Sequence, residues 1–421
     1  MTCRIKPYRL IFLLSCPFVI NHVNAGGFQI SEQTAAGLGR GFAGSGIAAD
    51  DVADMFYNPA GMALLQGRRL QAGISALAIT ADFTDDGGST ATGSGGDGGT
   101  DSIIPNAFFT TEVNDAVRWG LGITTPFGLR TEYDRNWIGR YQAVESELAT
   151  VDINPAVSYQ VNDRLSIGAG INLQYADATL SRAAPPAATP GGDDAFVEIA
   201  GDSWSGGFNL GAVYQIDSDT RFGFSYRSRV SHELEGDLTL TGSDIGLDGS
   251  YSATADIDFP ETVYLSGLHQ FNEQWTLMAT ARWTRWSRFD TLLVQIDGLP
   301  DDVTPQQWED TFTISVGGNY RLNEQWTLRA GVVIDNTPVP GATLRTPRIP
   351  DSDRQWLTFG ASLLTGDRWT IDLAYAHIFA DNPVIDNTDP LPSAIVSSNR
   401  LSGEYDAAVD IIGIQAQYEF D

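Results

Sequence analysis

Short stretches of strict alternation recur along this chain, and the gaps between them are by turns tight and long. Leu165, Ile167, Ala169, Ile171, Leu173 and Tyr175 alternate with Ser166, Gly168, Gly170, Asn172, Gln174 and Ala176. One face is greasy and the other small or polar, at the period of a β-strand. The last segment repeats this, with Ile412, Ile414, Ala416, Tyr418 and Phe420 set against Gly413, Gln415, Gln417, Glu419 and Asp421. Such strands suit the core of a soluble sandwich, and equally a wall with lipid on one side and a wet lumen on the other.

The gaps separate the two. After Gly67 about fourteen alternating segments follow, centred on residues 68–81, 102–113, 116–129, 147–160, 164–182, 203–216, 220–232, 251–270, 275–286, 311–322, 326–335, 355–364, 368–379 and 406–420. Tight turns fall at Asn114-Asp115, Asn162-Asp163, Asp217-Ser218-Asp219, Asn272-Glu273, Asn323-Glu324 and Thr365-Gly366-Asp367. The intervening connections are long and rich in Gly, Pro, Asp, Ser and Thr: 82–101, 130–146, 183–202, 233–250, 287–310, 336–354 and 380–405. Short turns at one end and long loops at the other predict an all-β fold, a transmembrane antiparallel barrel of about 14 strands. An even count places both barrel ends on the short-turn, periplasmic side. Trp119, Trp275, Trp326 and Trp369 each follow a short turn closely, as a girdle at the membrane–water boundary requires. A near-terminal Phe420 on an alternating strand agrees with an outer-membrane barrel, and the extra Asp421 is a mild departure.

Arg4, Lys6 and Arg9 followed by an apolar run, Leu10 to Ile20, and then Val23-Asn24-Ala25 read as a secretory signal, with the mature chain starting at Gly26. A lipoprotein signal ending at Cys16 is the alternative. Both cysteines, Cys3 and Cys16, lie in that leader, so the mature chain has no disulfide framework. Loss of the three leader cations takes the net charge from −28 to −31, and Lys6 is the sole lysine. Such acidity argues against nucleic acid as a partner. No later stretch is long and apolar enough for a spanning helix.

Residues 26–66 do not alternate. Small residues dominate, helical turns are expected near Asp51 to Phe56, and Pro59 should end them. The segment is too small to fold alone. With the mature start Gly27-Phe28-Gln29-Ile30, the Gly-Leu-Gly-Arg run at 37–40, Ala-Asp-Asp at 49–51, Asn-Pro-Ala at 58–60, Ile104-Pro105-Asn106-Ala107 and the 120–133 stretch ending Arg-Thr-Glu-Tyr, the chain resembles the FadL family of outer-membrane transporters for long-chain fatty acids and other hydrophobic compounds. The resemblance continues through Asn154-Pro155-Ala156 to Arg182, and in pattern to the C-terminus.

That resemblance implies a barrel, residues 67–421, plugged by an N-terminal hatch, residues 26–66, behind the signal, residues 1–25. It further implies capture among the loops, a greasy lumenal pocket, and sideways exit beside a kinked third strand. Pro126, Phe127 and Gly128 are the expected lateral gate, since proline cannot donate to a ladder and glycine permits a sharp bend. The alternative is merely the strand's end. Phe28 is the expected ligand stopper, or else an anchor of the plug. Asn58, Pro59 and Ala60 are expected to hold the hatch. Arg182 falls on the inward parity near the long-loop end and suits a carboxylate, unless it pairs with an acid such as Asp177. Arg227, Arg229 and Arg282 are further inward candidates. Tyr133, Trp137, Ile138 and Tyr141 form an expected exposed capture patch, or else upper-girdle packing. The acidic first loop matches no calcium motif.

The expected partners are a long-chain fatty acid or another hydrophobic small molecule, and the surrounding outer-membrane lipid and lipopolysaccharide, with the protein a monomer. No cofactor and no metal are expected. The rivals are an alkane or monoaromatic channel of the same family, an outer-membrane lipase, and a porin or adhesin. Only His232, His269 and His377 survive cleavage, and no Gly-x-Ser-x-Gly elbow is present.

Overall fold

The computed structural model describes residues 26–189, 191–390 and 398–420. The leader, with both cysteines, and Asp421 lie outside the described residues. Fourteen antiparallel wall strands follow one another in chain order. They are β1 (Arg68–Asp85), β2 (Ser102–Asn114), β3 in two parts (Val117–Thr124 and Gly128–Glu132), β4 (Glu145–Gln160), β5 (Leu165–Ala184) and β6 (Ala195–Gln215). β7 (Thr220–Arg227 and Val230–Thr241), β8 (Gly249–Phe259 and Thr262–Gln270), β9 (Trp275–Thr284 and Thr291–Ile296) and β10 (Asp302–Pro305 and Thr311–Arg321) are also interrupted. β11 (Trp326–Asp335), β12 (Arg354–Thr365), β13 (Trp369–Ala380) and β14 (Ser398–Phe420) complete the wall. β1 pairs with β14 from Arg68↔Phe420 to Asp85↔Gly403, so the sheet closes and both ends lie at the short-turn rim. Closure leaves no edge to expose in lipid.

The wall is inverted relative to a soluble protein. Ile171, Leu173, Phe208 and Leu210 are exposed outside, while Asn172, Gln174 and Asn209 are buried inside. Trp119, Trp275, Trp326 and Trp369 are exposed together just above the short turns. The turns themselves repeat one device. The Asn272 carboxamide oxygen accepts from the Gln274 and Trp275 amides, each at 2.9 Å, and Asn323 does the same for Gln325 and Trp326.

Three connections expected as loops, 183–202, 233–250 and 287–310, are in substantial part strand, because β5–β10 rise well above the membrane. There the alternation changes sign. Glu233, Glu235 and Asp237 point out, and Leu234, Leu238 and Ile257 are buried inside. An acidic outer face hides the strand from a search for greasy outer faces.

Residues 26–66 fill the lumen with two short helices, α1 (Ala35–Gly39) and α2 (Asp54–Tyr57), and a 3-10 turn, Pro59–Leu64. Pro59 therefore starts the second turn as well as ending α2, in keeping with its preference for a first helical position. Thr34 caps α1, and Gln415 of β14 accepts from the Ala35 amide at 2.7 Å. Buried arginines bind this segment to the wall. Arg40 meets Asp50 at 3.1 Å, and Arg329 of β11 bridges Asp50 and Asp372, each at 3.0 Å. Removing one member of such a network strands the others without a partner.

Candidate functional site

The first residues of the described chain thread up to the wall's interruptions. Phe28 is buried and ringed by five aromatics: Phe127, Phe259, Trp286, Phe289 and Trp308, with centroids 4.7–6.2 Å away. Four of these contacts are edge-to-face, the geometry the ring quadrupoles favour. Phe28 also forms the floor of an apolar cavity of about 90 Å³, whose lining includes Leu129, Leu148, Leu234, Ile257 and Ile349.

At Pro126 the third strand leaves its ladder. β3 and β4 pair down to Thr124↔Asp152 and resume one residue out of step at Gly128↔Ala149. The strand therefore does not simply end at Pro126, as the alternative held. On the other side β2 and β3 pair only up to Ala107↔Ile123. Ser102 to Asn106 bond to β1, and among the described residues they have no ladder partner on the β3 side. The freed backbone turns inward to the N-terminal segment instead. The Ile30 amide donates to the Pro126 carbonyl and the Gly128 amide to the Phe28 carbonyl, both at 2.9 Å. The Gln33 carboxamide donates to the Thr125 carbonyl at 2.7 Å. Interruption of the wall and seating of Phe28 are thus one hydrogen-bonded unit.

Above the inner cavity lies a chamber of mixed lining, about 240 Å³, and outside it an apolar groove of about 580 Å³. Leu180, Ile199, Leu292 and Arg348 line both cavity and chamber; Arg182, Asp302 and Asp389 line both chamber and groove. The three spaces form one path. Arg182 stands where its parity predicts, but it pairs with Asp302 (3.0 Å) and Asp389 (3.6 Å) rather than Asp177. Two carboxylates already satisfy it.

Arg348, in the connection between β11 and β12, is different. Its Nη1 donates to the Glu145 carbonyl (3.2 Å) and Ser146 Oγ (2.9 Å), and among the described residues it makes no ion pair. Burial, with the repulsion of Arg182, pushes its guanidinium down to about 10. The inner cavity thus has an unpaired cation at its mouth. Sequence parity missed it because it lies in a loop, where no strand period exists to point it inward.

The other site residues sort by what they touch. Arg227 is inside but occupied: it pairs with Asp152 at 2.8 Å, donates to the Phe56 carbonyl and lies over the Phe56 ring. Arg282 is buried, donating to Ser31 Oγ (2.5 Å) and pairing with Asp335 (3.4 Å). Both grip the N-terminal segment. Arg229 does not face inward. A bulge at Ser228–Arg229, between Arg227↔Asn209 and Glu235↔Asp202, turns it to the outside. Asn58 donates to the Ala212 and Phe224 carbonyls and accepts from the Ala60 amide. Glycines make room for this corner, since a Cβ on Gly211 would lie 1.9 Å from Asn58 Oδ1, and one on Gly168 2.4 Å from the Ala60 nitrogen.

The expected exposed patch is not exposed. Tyr133, Trp137, Ile138 and Tyr141 are all buried. Tyr133 and Trp137 stack at 3.9 Å, and Trp137 Nε1 donates to the Ala143 carbonyl at 2.6 Å. With Phe83, Ile385, Leu401 and Tyr405 they make the core of the loop layer. The exposed greasy residues lie elsewhere, at Ile245, Leu247 and Val303 along the outer groove.

A family model described as outer membrane protein transport protein (OMPP1/FadL/TodX) matches residues 17–420. The chain belongs to the OMPP1/FadL/TodX family. It is 30% identical over 388 residues to a long-chain fatty acid transport protein of Escherichia coli, covering 84% of this chain and 86% of that one. A crystal structure of a Pseudomonas aeruginosa FadL homologue superposes with a TM-score of 0.87 at 28% identity, over 94% of this chain and 100% of that chain. The Ralstonia pickettii toluene transporter TbuX shares the fold at a TM-score of 0.69 and 20% identity, over 92% and 98% of the two chains. As a member of the OMPP1/FadL/TodX family the chain is an outer-membrane transport protein.

Proposed function

We propose that this protein passes long-chain fatty acids through the outer membrane without an energy source. The carrying observation is the unpaired Arg348 at the mouth of an apolar cavity whose floor is Phe28. The outer groove gathers an apolar chain, the chamber between Arg182 and Arg348 turns the carboxylate, and the tail enters the inner cavity. A carboxylate on Arg348 gains charge-assisted hydrogen bonds without displacing a native ion pair. Movement of Phe28 then opens the cavity toward Thr125–Phe127, and the ligand leaves between β2 and β3 into the bilayer. The relatives named as fatty acid transport proteins support this substrate class.

A second possibility is a neutral hydrocarbon. Asp302 and Asp389 neutralise Arg182, and Asp244 and Asp301 add negative charge at the groove. Binding of oleate and of a matched alkane to the purified protein separates the two. Arg348→Ala should weaken oleate at least about tenfold, the worth of a charged hydrogen bond, and leave the alkane unchanged. Arg182→Ala should weaken oleate less. Equal oleate affinity in wild type and Arg348→Ala would reject the carboxylate anchor.

A further inference from the structure

The outer wall carries one arginine patch at membrane height, and the transport path does not use it. Arg229 of β7 and Arg285 and Arg288 of the β9 interruption project from neighbouring strands around β8, with side chains 45%, 44% and 32% exposed. We propose that this patch binds the phosphates of the lipid A headgroup in the outer leaflet.

Height is the first argument. Ten residues separate the girdle residue Trp275 from Arg285 on β9. At a strand rise of about 3.3 Å and a tilt of about 40° this is about 25 Å along the axis, the height of the apolar band of such barrels. The outer faces agree. Below the patch lie Phe222, Phe224, Leu265, Phe312 and Ile314, all exposed and apolar. Above it the exposed residues turn polar, with Glu233, Glu235 and Asp256. The arginines therefore stand at the plane of the outer-leaflet headgroups, where a guanidinium is tolerated and a phosphate is in reach.

Charge is the second. Arg285 (3.0 Å) and Arg288 (3.0 Å) share one carboxylate, Glu261, which is itself buried, while Arg229 takes Asp258 at 3.1 Å. Asp310, close by, accepts from the Ser287 amide. Three cations thus face three acids, Glu261, Asp258 and Asp310, on a chain of net charge −28, so the patch is locally neutral rather than acidic. Donors are also left over. A guanidinium has five N–H groups, yet Arg229 and Arg285 each spend only one nitrogen on their carboxylates. The rest face outward on exposed side chains, in the fork geometry that phosphate oxygens accept. Glu261 and Asp258 hold the arginines side by side, and the lipid phosphates take the donors that these acids leave over.

The test uses the full mature protein in detergent, freed of lipid and titrated with bisphosphorylated lipid A, with native mass spectrometry counting bound copies. Wild type should bind it at least about tenfold more tightly than the same lipid with both phosphates removed. The triple variant R229Q/R285Q/R288Q should lose that preference. Heat-modifiable gel mobility identifies folded barrels. If the triple variant fails that check, R229Q, R285Q and R288Q singly replace it, each expected to lose about two- to threefold. Equal binding of phosphorylated and dephosphorylated lipid by wild type overturns the proposal. So does wild-type preference in the folded triple variant or in all three single ones. An equal loss in R164Q/R321Q, whose exposed arginines sit at the short-turn rim, reduces the effect to overall charge and also overturns it.

Discussion

The wall is interrupted in two regions, and they differ in whether their neighbours follow. In β3 residues 125–127 leave the ladder while β2 runs straight on, so Ser102 to Asn106 lose their partners on that side. In β7 to β10 the neighbouring strands break together, at 228–229, 260–261, 285–290 and 306–310. There the pairing resumes above: Arg227↔Thr262 is followed by Val230↔Phe259 in the same register. Between β7 and β8 the shared break leaves the register unchanged, whereas beside a strand that runs straight on, β2 next to residues 125–127 and β6 next to residues 228–229, backbone groups are left to find other partners. Both aim aromatics at Phe28, with Phe127 from the single break and Phe259, Trp286, Phe289 and Trp308 from the shared one.

The comparison breaks most sharply if β3 is mended. Replacing Pro126-Phe127-Gly128 with Val-Thr-Val should bring oleate uptake by cells to background while the barrel keeps its heat-modifiable mobility. Normal uptake in a folded variant would remove the gate. Next in size is Phe28→Ala, which empties the cage between the two regions. Loss of a buried phenyl ring costs about 3–5 kcal/mol, and hydrogen exchange at the Ile30 and Gly128 amides should accelerate accordingly. Unchanged protection there would mean that the ring does not seat the segment.

Glu32 gives a subtler handle. It is fully buried, facing Arg282 and Arg354, and burial raises its carboxyl from 4.5 to about 7. Between those values the seated segment holds a proton that the released one gives up, so seating weakens as pH rises through the window. Protection of the Ile30 amide, corrected for intrinsic exchange, should fall from pH 5 to pH 7.5 in wild type and stay flat in Glu32→Gln. A matching fall in the variant would assign the slope to another group. The smallest effect is expected at the shared break. Pro260→Val should leave uptake within about twofold, since the β7–β8 register already runs unchanged across it. A loss comparable to that of the mended β3 would erase the distinction between the regions.

Where the outside is lipid and the inside polar, the strands are plain in the sequence, as in β5, whose lower half alternates Ile167, Ala169, Ile171 with buried Ser166, Gly170, Asn172. The upper part of β6, from Ala195 to Asp202, was hidden, because above the membrane the greasy face moves inward. Among the site residues, Pro126 and Gly128 announce a bend by their backbone chemistry alone. Arg229 was misplaced by parity because one bulged residue reverses every face beyond it. Tyr133, Trp137 and Tyr141 look like a surface patch in a loop-rich sequence, and only packing buries them, Tyr133 and Trp137 against Phe83 and Tyr405 and Tyr141 against Ala183.

Period, turn chemistry and girdle spacing are local properties, and they determined the closed wall, its orientation and the non-alternating segment that needs a lumen to fold in. Which arginine stays unpaired is not local. Arg182, Arg227 and Arg282 lie on inward parity like any anion site, yet each meets carboxylates or carbonyls from strands or segments at least 53 residues away. Only the closed barrel decides that, because charges cancel through space, and closure brings acids to ion-pair distance of Arg182, Arg227 and Arg282 while Arg348, within the field of Asp302 and Asp389, has none that near among the described residues.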